Sequence, residues 1–204
     1  TTRGSVSYVG KDYTVKMVQQ AFDYTDEDFM KDNVIVDMGI KGATSVMSNK
    51  MTTDFYAALA TKNAAGNAEL VTFAKGSSLS YDVIVDGISE LNLEDESKIF
   101  VVIPNKWKAA LRKDNDYVSA RQGEVVYNGQ VGTICGIPVV ATKALTDKAY
   151  VMTNEAITLF IKKDVEVEQD RNADTRKNSI YLRDCYVCAL TDATKACKIT
   201  EASA

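Results

Sequence analysis

Two β-rich runs near the C-terminus constrain the fold more than any other feature. The runs, Ile157 to Val167 and Ser179 to Leu190, flank the polar segment QDRNADTRKN, and Val165-Glu166-Val167-Glu168 alternates strictly. Because successive side chains of a strand point to opposite faces, this pattern predicts a long antiparallel hairpin. Glu166 and Glu168 are expected to face water. The apolar side chains expected to face a core are Val165, Val167, Ile180 and Leu182.

The tip of this hairpin carries charges of both signs. Its ionisable residues are Asp170, Arg171, Asp174, Arg176 and Lys177. Such a mixture is typical of a solvated hairpin end, and it also suits a ribbon that reaches a neighbouring molecule. The tip lacks the converging nucleophiles, acids or metal ligands of a usual active site.

Length and composition predict an ordinary folded protein. The chain has 204 residues, 46% of them hydrophobic, which is enough for one substantial core or two small lobes. A formal net charge of -4 gives no global basic field that would attract nucleic acid or an anionic membrane. No apolar run reaches the length of a spanning helix. Because the chain begins with Thr1 rather than Met, we expect a processed or trimmed product with sequence upstream.

The sequence contains no histidine, which excludes Ser-His and Cys-His catalysis and zinc sites of the HExxH type. Cys185 and Cys188 have the CxxC spacing of a zinc knuckle or redox motif. Within a strand, however, positions i and i+3 point to opposite faces, and Cys135 and Cys197 form no second CxxC. We expect buried reduced thiols, with a metal-binding module as the alternative.

The N-terminal third predicts a second extended hairpin followed by a long helix. Residues 5–22 alternate around the turn Gly10-Lys11-Asp12, and Thr25-Asp26-Glu27-Asp28 resembles a capping box that starts a helix. Gly39 and Gly42 are expected at a bend or at a close packing contact. The predicted helix is a rod of about 45 Å. Its apolar residues recur at steps of three or four: Val36, Ile40, Ala43, Met47, Met51, Phe55 and Ala58.

The middle of the chain predicts a compact α/β lobe. The short strand ELVTFA precedes a helix that Ser80 is expected to cap, and KIFVVIP reads as a buried strand. Pro104 is expected in the first turn of a short helix that buries Trp107 and Leu111. The apolar face of the helix after Ser80 carries Tyr81, Ile84, Ile88 and Leu91.

The segment VVYNGQVGTICGIPVVATKAL contains glycines at intervals of three and four residues. Asn128-Gly129 predicts a tight turn, and Gly132 and Gly136 are expected at turns or bulges because the glycine spacing matches no nucleotide-binding motif. Ile137-Pro138-Val139-Val140 is expected to form a strand with its proline at an edge or at the start. DATKACKIT is expected to form the last strand.

This order of elements resembles the major capsid proteins of tailed bacteriophages, the Hong Kong 97-like fold. The resemblance covers nearly the whole chain through the helix entry YTDEDF, the lobe with VVIPNKWKAAL, the segment GQVGTICGIPVVAT and the ribbon YVMTNEAITLFIKKDVEVEQDRN. It implies an α+β fold with an extended loop at 1–24, a peripheral lobe at 25–75 and 151–190, and an axial lobe at 76–150 and 191–204.

The resemblance implies a structural protein without enzymatic activity or a cofactor. Its copies would form the pentamers and hexamers of an icosahedral shell around the phage genome. The implied partners are scaffolding and portal proteins and double-stranded DNA packaged without sequence-specific binding, with no membrane. The protein would reside in the virion, and in the host cytoplasm during assembly. Residues expected at intersubunit contacts are Lys11, Asp12, Asp170, Arg171, Asp174, Arg176 and Lys177.

Three alternatives remain beside a genome-enclosing shell, and one of them is a small-molecule or metal-binding module that uses Cys185 and Cys188. An encapsulin-like shell, which stores a cargo enzyme, would have the same fold. A carboxylate-based hydrolase needs no histidine, but it requires two carboxyl groups that converge in a pocket.

Overall fold

The computed structural model describes residues 10–60, 69–114, 116–117 and 130–202. Its helices are α1 (Asp26–Lys31), α2 (Val34–Leu59), α3 (Tyr81–Glu90) and α4 (Lys108–Lys113). Its strands are β1 (Lys16–Thr25), β2 (Glu69–Phe73), β3 (Ile99–Pro104), β4 (Gln130–Ile134), β5 (Ile137–Thr142), β6 (Lys148–Thr153), β7 (Ile157–Asn172), β8 (Lys177–Leu190) and β9 (Ala196–Glu201). The mixed content of helix and sheet agrees with the α+β prediction.

The chain divides into two compact units. Unit 1 comprises Thr1–Met47 and Leu159–Val187, and unit 2 comprises Ser48–Thr158 and Cys188–Ala204. The division into an extended loop, a peripheral lobe and an axial lobe stays a prediction.

Unit 1 is a three-stranded sheet with the strand order β1-β8-β7, covered on one face by the first part of α2. β1 and β8 are antiparallel, and Phe22 lies opposite Ile180. Ala43 and Met47 of α2 are buried with Ile180 and Leu182 of β8. The long hairpin of β7 and β8 is thus confirmed, as is the burial of the two apolar residues on its return strand.

Val165 and Val167 of β7 do not face a core, and this prediction was wrong. Their side chains are 56% and 61% exposed. β7 is an edge strand of the sheet, and the strand residues of the buried cluster beneath α2 come from β1 and β8. Alternation correctly indicates which side chains share a face, but here the helix covers only part of that face.

The entry into the helices follows the predicted capping pattern in part. The N–H of Asp28 donates to the hydroxyl of Thr25 at 3.1 Å, and that hydroxyl donates to the Asp28 carboxylate at 2.7 Å. α1 ends after six residues, and α2 starts at Val34, whose N–H donates to the Asp32 carboxylate at 3.0 Å.

α2 has 26 residues and is therefore about 39 Å long. Most of its predicted apolar stripe is buried or partly buried, but Ile40 is exposed. Gly39 marks a close packing contact, because an added β-carbon would lie 2.4 Å from the Phe22 ring. An added β-carbon at Gly42 would meet nothing within 4 Å.

The hairpin predicted at residues 5–22 lies only partly within the described residues. Its second arm was predicted from Tyr13, but the strand β1 begins at Lys16, extends to Thr25 and pairs with β8. The first arm, at residues 5–9, lies outside the described part of the chain.

Unit 2 contains a six-stranded sheet with the order β2-β9-β6-β3-β5-β4. Helices α3 and α2 cover its two faces. Val101 of β3 and Val151 of β6 are buried with Ile84 and Ile88 of α3, whereas Val102 and Met152, one residue further along these strands, are buried with Leu59 of α2. The prediction that the run KIFVVIP is a buried strand is confirmed by β3.

The cap of α3 differs from the prediction. Ser80 occupies the N-cap position, but its side chain makes no capping hydrogen bond. Instead, the N–H of Tyr81 donates to the Asp114 carboxylate at 2.7 Å. The cap therefore comes from a residue that follows α4.

The short helix after Pro104 begins later than predicted. Pro104 is the last residue of β3, a 3₁₀ turn follows at Asn105–Trp107, and α4 follows that turn. Leu111 is buried as predicted, while Trp107 is only partly buried and packs edge-on against Phe73, with ring centroids 5.4 Å apart.

Two of the predicted glycine positions are a bulge and a turn. Gly132 lies at the register shift between β4 and β5, and Gly136 follows Cys135 in a two-residue turn where both residues have positive φ. The turn predicted at Asn128-Gly129 lies outside the described residues. Pro138 is near the start of β5, just before the pairing of β5 with β3 begins at Val139.

The four thiols are free, but only Cys197 is buried. Cys185 and Cys188 are partly buried, and Cys135 is exposed in the β4–β5 turn. The prediction of buried thiols was therefore wrong for Cys135, because a turn at the surface cannot enclose its side chain.

Two similar turns precede the strands on either side of β6. In each turn an aspartate carboxylate accepts a hydrogen bond from the backbone N–H two residues later, at 3.0 Å. The two turns are Asp95-Glu96-Ser97-Lys98 and Asp192-Ala193-Thr194-Lys195. Lys195 forms an ion pair with Glu155, which follows β6, and Lys98 lies 3.9 Å from the same carboxylate. This lysine–glutamate triad joins the ends of β3, β6 and β9.

Candidate functional site

The turn at the tip of the long hairpin is held by its own side chains. The Asn172 carboxamide oxygen accepts from the N–H groups of Asp174 and Thr175 at 3.0 and 3.3 Å. Arg176 closes the turn with a left-handed φ of 50°, a conformation that costs free energy for a residue other than glycine. The tip thus has a specific backbone geometry rather than that of a generic loop.

Asp26 joins the start of α1 to this tip. Its carboxylate accepts from Arg171 and from the side-chain amide of Asn178, each at 2.8 Å, and its N–H donates to the carbonyl of Arg176 at 3.1 Å. The Asn178 hydrogen bond, and then that of Arg171, hold the pKa of the Asp26 carboxyl below its usual value. The carboxylate is therefore charged at neutral pH.

Further ion pairs run along the same sheet. Lys177 lies 2.6 Å from Asp23, and its hydrogen bond, followed by that of Ser179, lowers the pKa of Asp23. Arg183 lies 2.7 Å from Glu168 of β7 and donates to Gln19 of β1 at 3.1 Å. Arg183 therefore links both outer strands to the central strand β8.

The seven predicted contact residues fall into different environments. Arg171 and Lys177 are engaged within their own chain, as described above. Asp170 and Asp174 are exposed and form no ion pair within the described residues. Near the start of the described chain, the Lys11 ammonium lies 5.3 Å from the centroid of the Tyr13 ring, and Asp12 is exposed. Their role between subunits stays a prediction.

The sequence interpretation missed an apolar surface on β7. Besides Val165 and Val167, Leu159, Phe160 and Ile161 are exposed along the same edge strand. Phe160 stacks on Tyr13 with ring centroids 5.5 Å apart. The signal was present in the strand's apolar residues, but it was assigned to a core.

Unit 2 has a surface recess of about 150 Å³ lined with acidic and basic side chains. Its carboxylates include Asp95 and Glu155, beside Lys98 and Lys195. Hydrogen bonds from Ser97 lower the pKa of Asp95, and the hydrogen bond from Lys195 lowers that of Glu155. Acid–base hydrolysis needs one carboxyl that retains its proton near neutral pH, so these two carboxylates do not favour that chemistry.

A second recess, of about 330 Å³, lies beside the last turns of α2. Tyr56 and Tyr150 line it, with their rings stacked at a centroid distance of 6.4 Å. Burial raises the pKa of Tyr150 to about 12, so its hydroxyl remains neutral. Burial also raises the pKa of Tyr56, so neither tyrosine is an activated nucleophile.

The cysteines do not assemble a metal centre within the described residues, where no three potential metal-binding side chains of the Cys, Asp, Glu or His type form a group. Burial raises the pKa of the Cys188 thiol, which disfavours the thiolate that a metal requires. In the same part of the chain, no helix is both long and apolar enough to cross a membrane.

Comparison with solved structures identifies the fold. The capsid of the cyanophage P-SCSP1u superposes with a TM-score of 0.76 at 11% identity, over 100% of this chain and 81% of that one. The capsid of Ralstonia phage GP4 gives 0.74 at 11% identity, over 99% and 81%. The chain has a phage major capsid protein-like fold. At such low identity these similarities show the fold alone, and they confirm the predicted resemblance at that level.

The capsid fold is not limited to phage heads. The holo-SrpI encapsulin complex from Synechococcus elongatus PCC 7942 matches with a TM-score of 0.68 at 10% identity, over 93% of this chain and 75% of that one. No protein family model matches the sequence, and no curated protein sequence matches it.

Proposed function

We propose that this chain is the major capsid protein of a tailed phage or prophage, a structural subunit that encloses a genome. The observation that carries this proposal is the similarity to the capsid of P-SCSP1u along the entire chain. The exposed apolar side chains of β7 agree with it, since exposed apolar surface on a folded protein often marks an association site. The protein has no enzymatic role in this proposal.

In this proposal, copies of the subunit form pentamers and hexamers that close into an icosahedral shell. Each contact can be weak because a subunit in a closed shell engages several neighbours at once. Scaffolding and portal proteins take part in assembly in the host cytoplasm, and the mature shell packages double-stranded DNA without reading its sequence. The net charge of -4 agrees with the absence of strong nucleic-acid binding by the subunit as a whole.

The exposed charges of the hairpin tip are assigned to intersubunit contacts in this proposal. Asp170 and Asp174 form no ion pair within the described residues, and both are exposed beside Arg176. Arg171 and Lys177 fix the tip to Asp26 and Asp23 of the same chain. Lys11 and Asp12 complete the set of proposed contacts.

The decisive experiment is electron microscopy with light scattering on the full-length gene product expressed in bacteria. Closed shells, or rings of five or six subunits, are the expected result. A product that stays monomeric across salt and crowding conditions would refute the proposal.

The encapsulin match favours a second candidate, a shell that stores a cargo protein. Shells purified from the native source distinguish the two functions by their contents. Packaged DNA, together with neighbouring portal and terminase genes, supports the capsid. A co-purified enzyme in shells without DNA supports the encapsulin-like compartment.

A further inference from the structure

The charged recess beside Glu155 contains a buried hydroxyl without a partner. Thr153, the last residue of β6, lines this recess and is 4% exposed. It follows Val151 by two residues and therefore lies on the face of the sheet that α3 covers. Its hydroxyl forms no hydrogen bond within the described residues. Since buried polar groups in native proteins are almost always hydrogen-bonded, we expect a partner from outside the chain.

Two further acceptors in the recess are free. Asp95 accepts two hydrogen bonds from Ser97, but both end on the same oxygen, Oδ1. The other oxygen, Oδ2, accepts none within the described residues, and in that part of the chain Glu94 forms no ion pair or hydrogen bond. The recess therefore offers three free acceptor groups, one hydroxyl and two carboxylates.

The charges of the recess favour one monovalent cation. Three carboxylates and two ammonium groups line it, which leaves one net negative charge: Glu94, Asp95, Glu155, Lys98 and Lys195. The two lysines repel a divalent metal ion more strongly than a monovalent cation. A primary ammonium group has a single positive charge and three N–H donors, which match the excess charge and the three free acceptors. A water molecule would satisfy the hydroxyl but would leave the charge uncompensated.

The opposite end of the same sheet is basic. The recess lies where β3 and β9 begin and β6 ends, whereas β3, β5 and β9 end and β6 begins on the other side. Because β6 has six residues, the two ends are about 20 Å apart. We call the charged residues around the other ends of β6, β3 and β5 the basic end. Its members are Lys106, Lys108, Lys143 and Lys148, with one carboxylate, Asp147.

Lys143 is the lysine of the basic end that is free to bind another molecule. Lys106 forms an ion pair with Asp147, and its hydrogen bond, with a smaller contribution from the charge of Lys148, lowers the pKa of that carboxyl. Lys108 is only partly exposed. Lys143 directly follows β5, is exposed, and forms no ion pair within the described residues.

We propose that the recess binds the ammonium group of Lys143 from a neighbouring copy of this chain. This inference rests on the proposed shell function and specifies one contact between subunits. The ammonium donates to Thr153, Asp95 and Glu94. Because the two partners lie at opposite ends of one sheet, the contact is heterologous, and its repetition forms a ring when the rotation closes. The opposite charges of the two ends orient the approaching copies.

Carbodiimide cross-linking of the full-length gene product tests this contact, because the reagent joins an amine directly to a carboxylate that it touches. Protein containing ordinary nitrogen and protein containing heavy nitrogen are mixed before assembly, so a linked peptide pair with one light and one heavy member comes from two copies. Such pairs are expected to join Lys143 to Glu94 or Asp95. The control is Lys41, which is also exposed and forms no ion pair within the described residues; it is expected to remain unlinked to these carboxylates.

Thr153→Val separates binding from folding. The variant keeps the shape of the side chain but removes the hydroxyl, which has no partner in the isolated subunit. The urea midpoint of the unassembled variant is therefore expected to equal or exceed that of the parent, while the yield of rings or shells falls at least threefold. Normal assembly would overturn the inference, because the hydroxyl would then need no ammonium group. A lower midpoint would also overturn it, because the hydroxyl would then have a partner within its own subunit.

The source of the ammonium group is tested with Lys143→Gln, which is expected to assemble at least threefold less than Lys41→Gln. n-Butylammonium chloride is expected to inhibit assembly of the parent more than tetramethylammonium chloride, which has the same charge but no N–H donor. Normal assembly of Lys143→Gln would overturn the inference; if its shells held less DNA, the basic end would bind the genome instead. Shells without a mixed link between Lys143 and the recess would overturn the inference alone. A parent that never assembles would refute both the contact and the proposed function.

Discussion

The ring of Phe22 occupies the space that a side chain at Gly39 would need. A β-carbon at Gly39 would lie 2.4, 2.6 and 2.9 Å from three carbons of that ring, closer than packed atoms approach one another. The absence of a side chain at Gly39 allows α2 to approach β1 closely.

Gly39→Ala is expected to destabilise the subunit relative to Gly42→Ala. Both substitutions improve the helix propensity of α2 by about 1 kcal/mol, but only the first forces the Phe22 ring to move, at about 1–3 kcal/mol. Denaturant unfolding of the unassembled protein measures the difference. Equal stability of the two variants would show that the Phe22 ring moves without lowering the free energy of unfolding.

Asp26→Asn is expected to remove a pH-dependent part of the stability. The hydrogen bonds of Asn178 and Arg171 lower the folded pKa of Asp26, so its contribution is fully present above the unfolded pKa of about 3.9 and is lost as the pH falls through the lower folded value. The difference in unfolding free energy between parent and variant should be constant near neutral pH and shrink below about pH 4. A difference that does not change down to pH 2 would contradict this explanation.

Asp114→Ala is expected to weaken α3 by about 1 kcal/mol, the usual effect of losing a helix cap. Its carboxylate accepts from the N–H of Tyr81 at 2.7 Å. Ser80→Ala serves as the control, since the Ser80 side chain makes no capping hydrogen bond and its loss should change stability little. The two midpoints of urea unfolding check the prediction, and a larger effect at Ser80 would reverse the assignment of the cap.

Charge reversal at the hairpin tip distinguishes residues that contact a neighbouring subunit from residues that stabilise their own subunit. Arg176→Glu and Asp174→Lys are expected to reduce ring formation and to change its salt dependence while leaving subunit stability nearly unchanged, because surface charges of this kind contribute little to folding. Arg171→Glu should also destabilise the isolated subunit, because it opposes Asp26. Light scattering across a salt series measures assembly. If both Arg176→Glu and Arg171→Glu left assembly and its salt response unchanged, the tip would have no role between subunits.

Local periodicity was sufficient to predict the long hairpin, the helical stripe with Ala43 and Met47, and the buried strand β3. Each of these features follows from the repeating pattern of residues that are close together in the chain. The burial of Val165 and Val167 could not be predicted in this way, since alternation does not indicate how far a covering helix extends across a sheet.

Long-range partners account for the other differences. The cap on Tyr81 comes from Asp114, and the partner of Arg171 is Asp26, 145 residues earlier in the chain. The turn at Gly136 was predicted, but the left-handed conformation of Cys135 was not, because cysteine is not a usual residue for such a position. In the candidate site, composition identified the charged tip, but only the fold shows which of its charges are already paired.

The lysine–glutamate triad at Glu155 also bears on the choice among competing strand alignments. Each of its exposed ion pairs adds little to the free energy of unfolding. However, Lys98 and Lys195 immediately precede β3 and β9, the two neighbours of β6. A shift of either strand by one residue would turn the side chains of that strand to the opposite face and carry its lysine away from Glu155. The triad therefore discriminates the native alignment from shifted ones, and its loss should appear as heterogeneity of refolded molecules more than as a lower melting temperature.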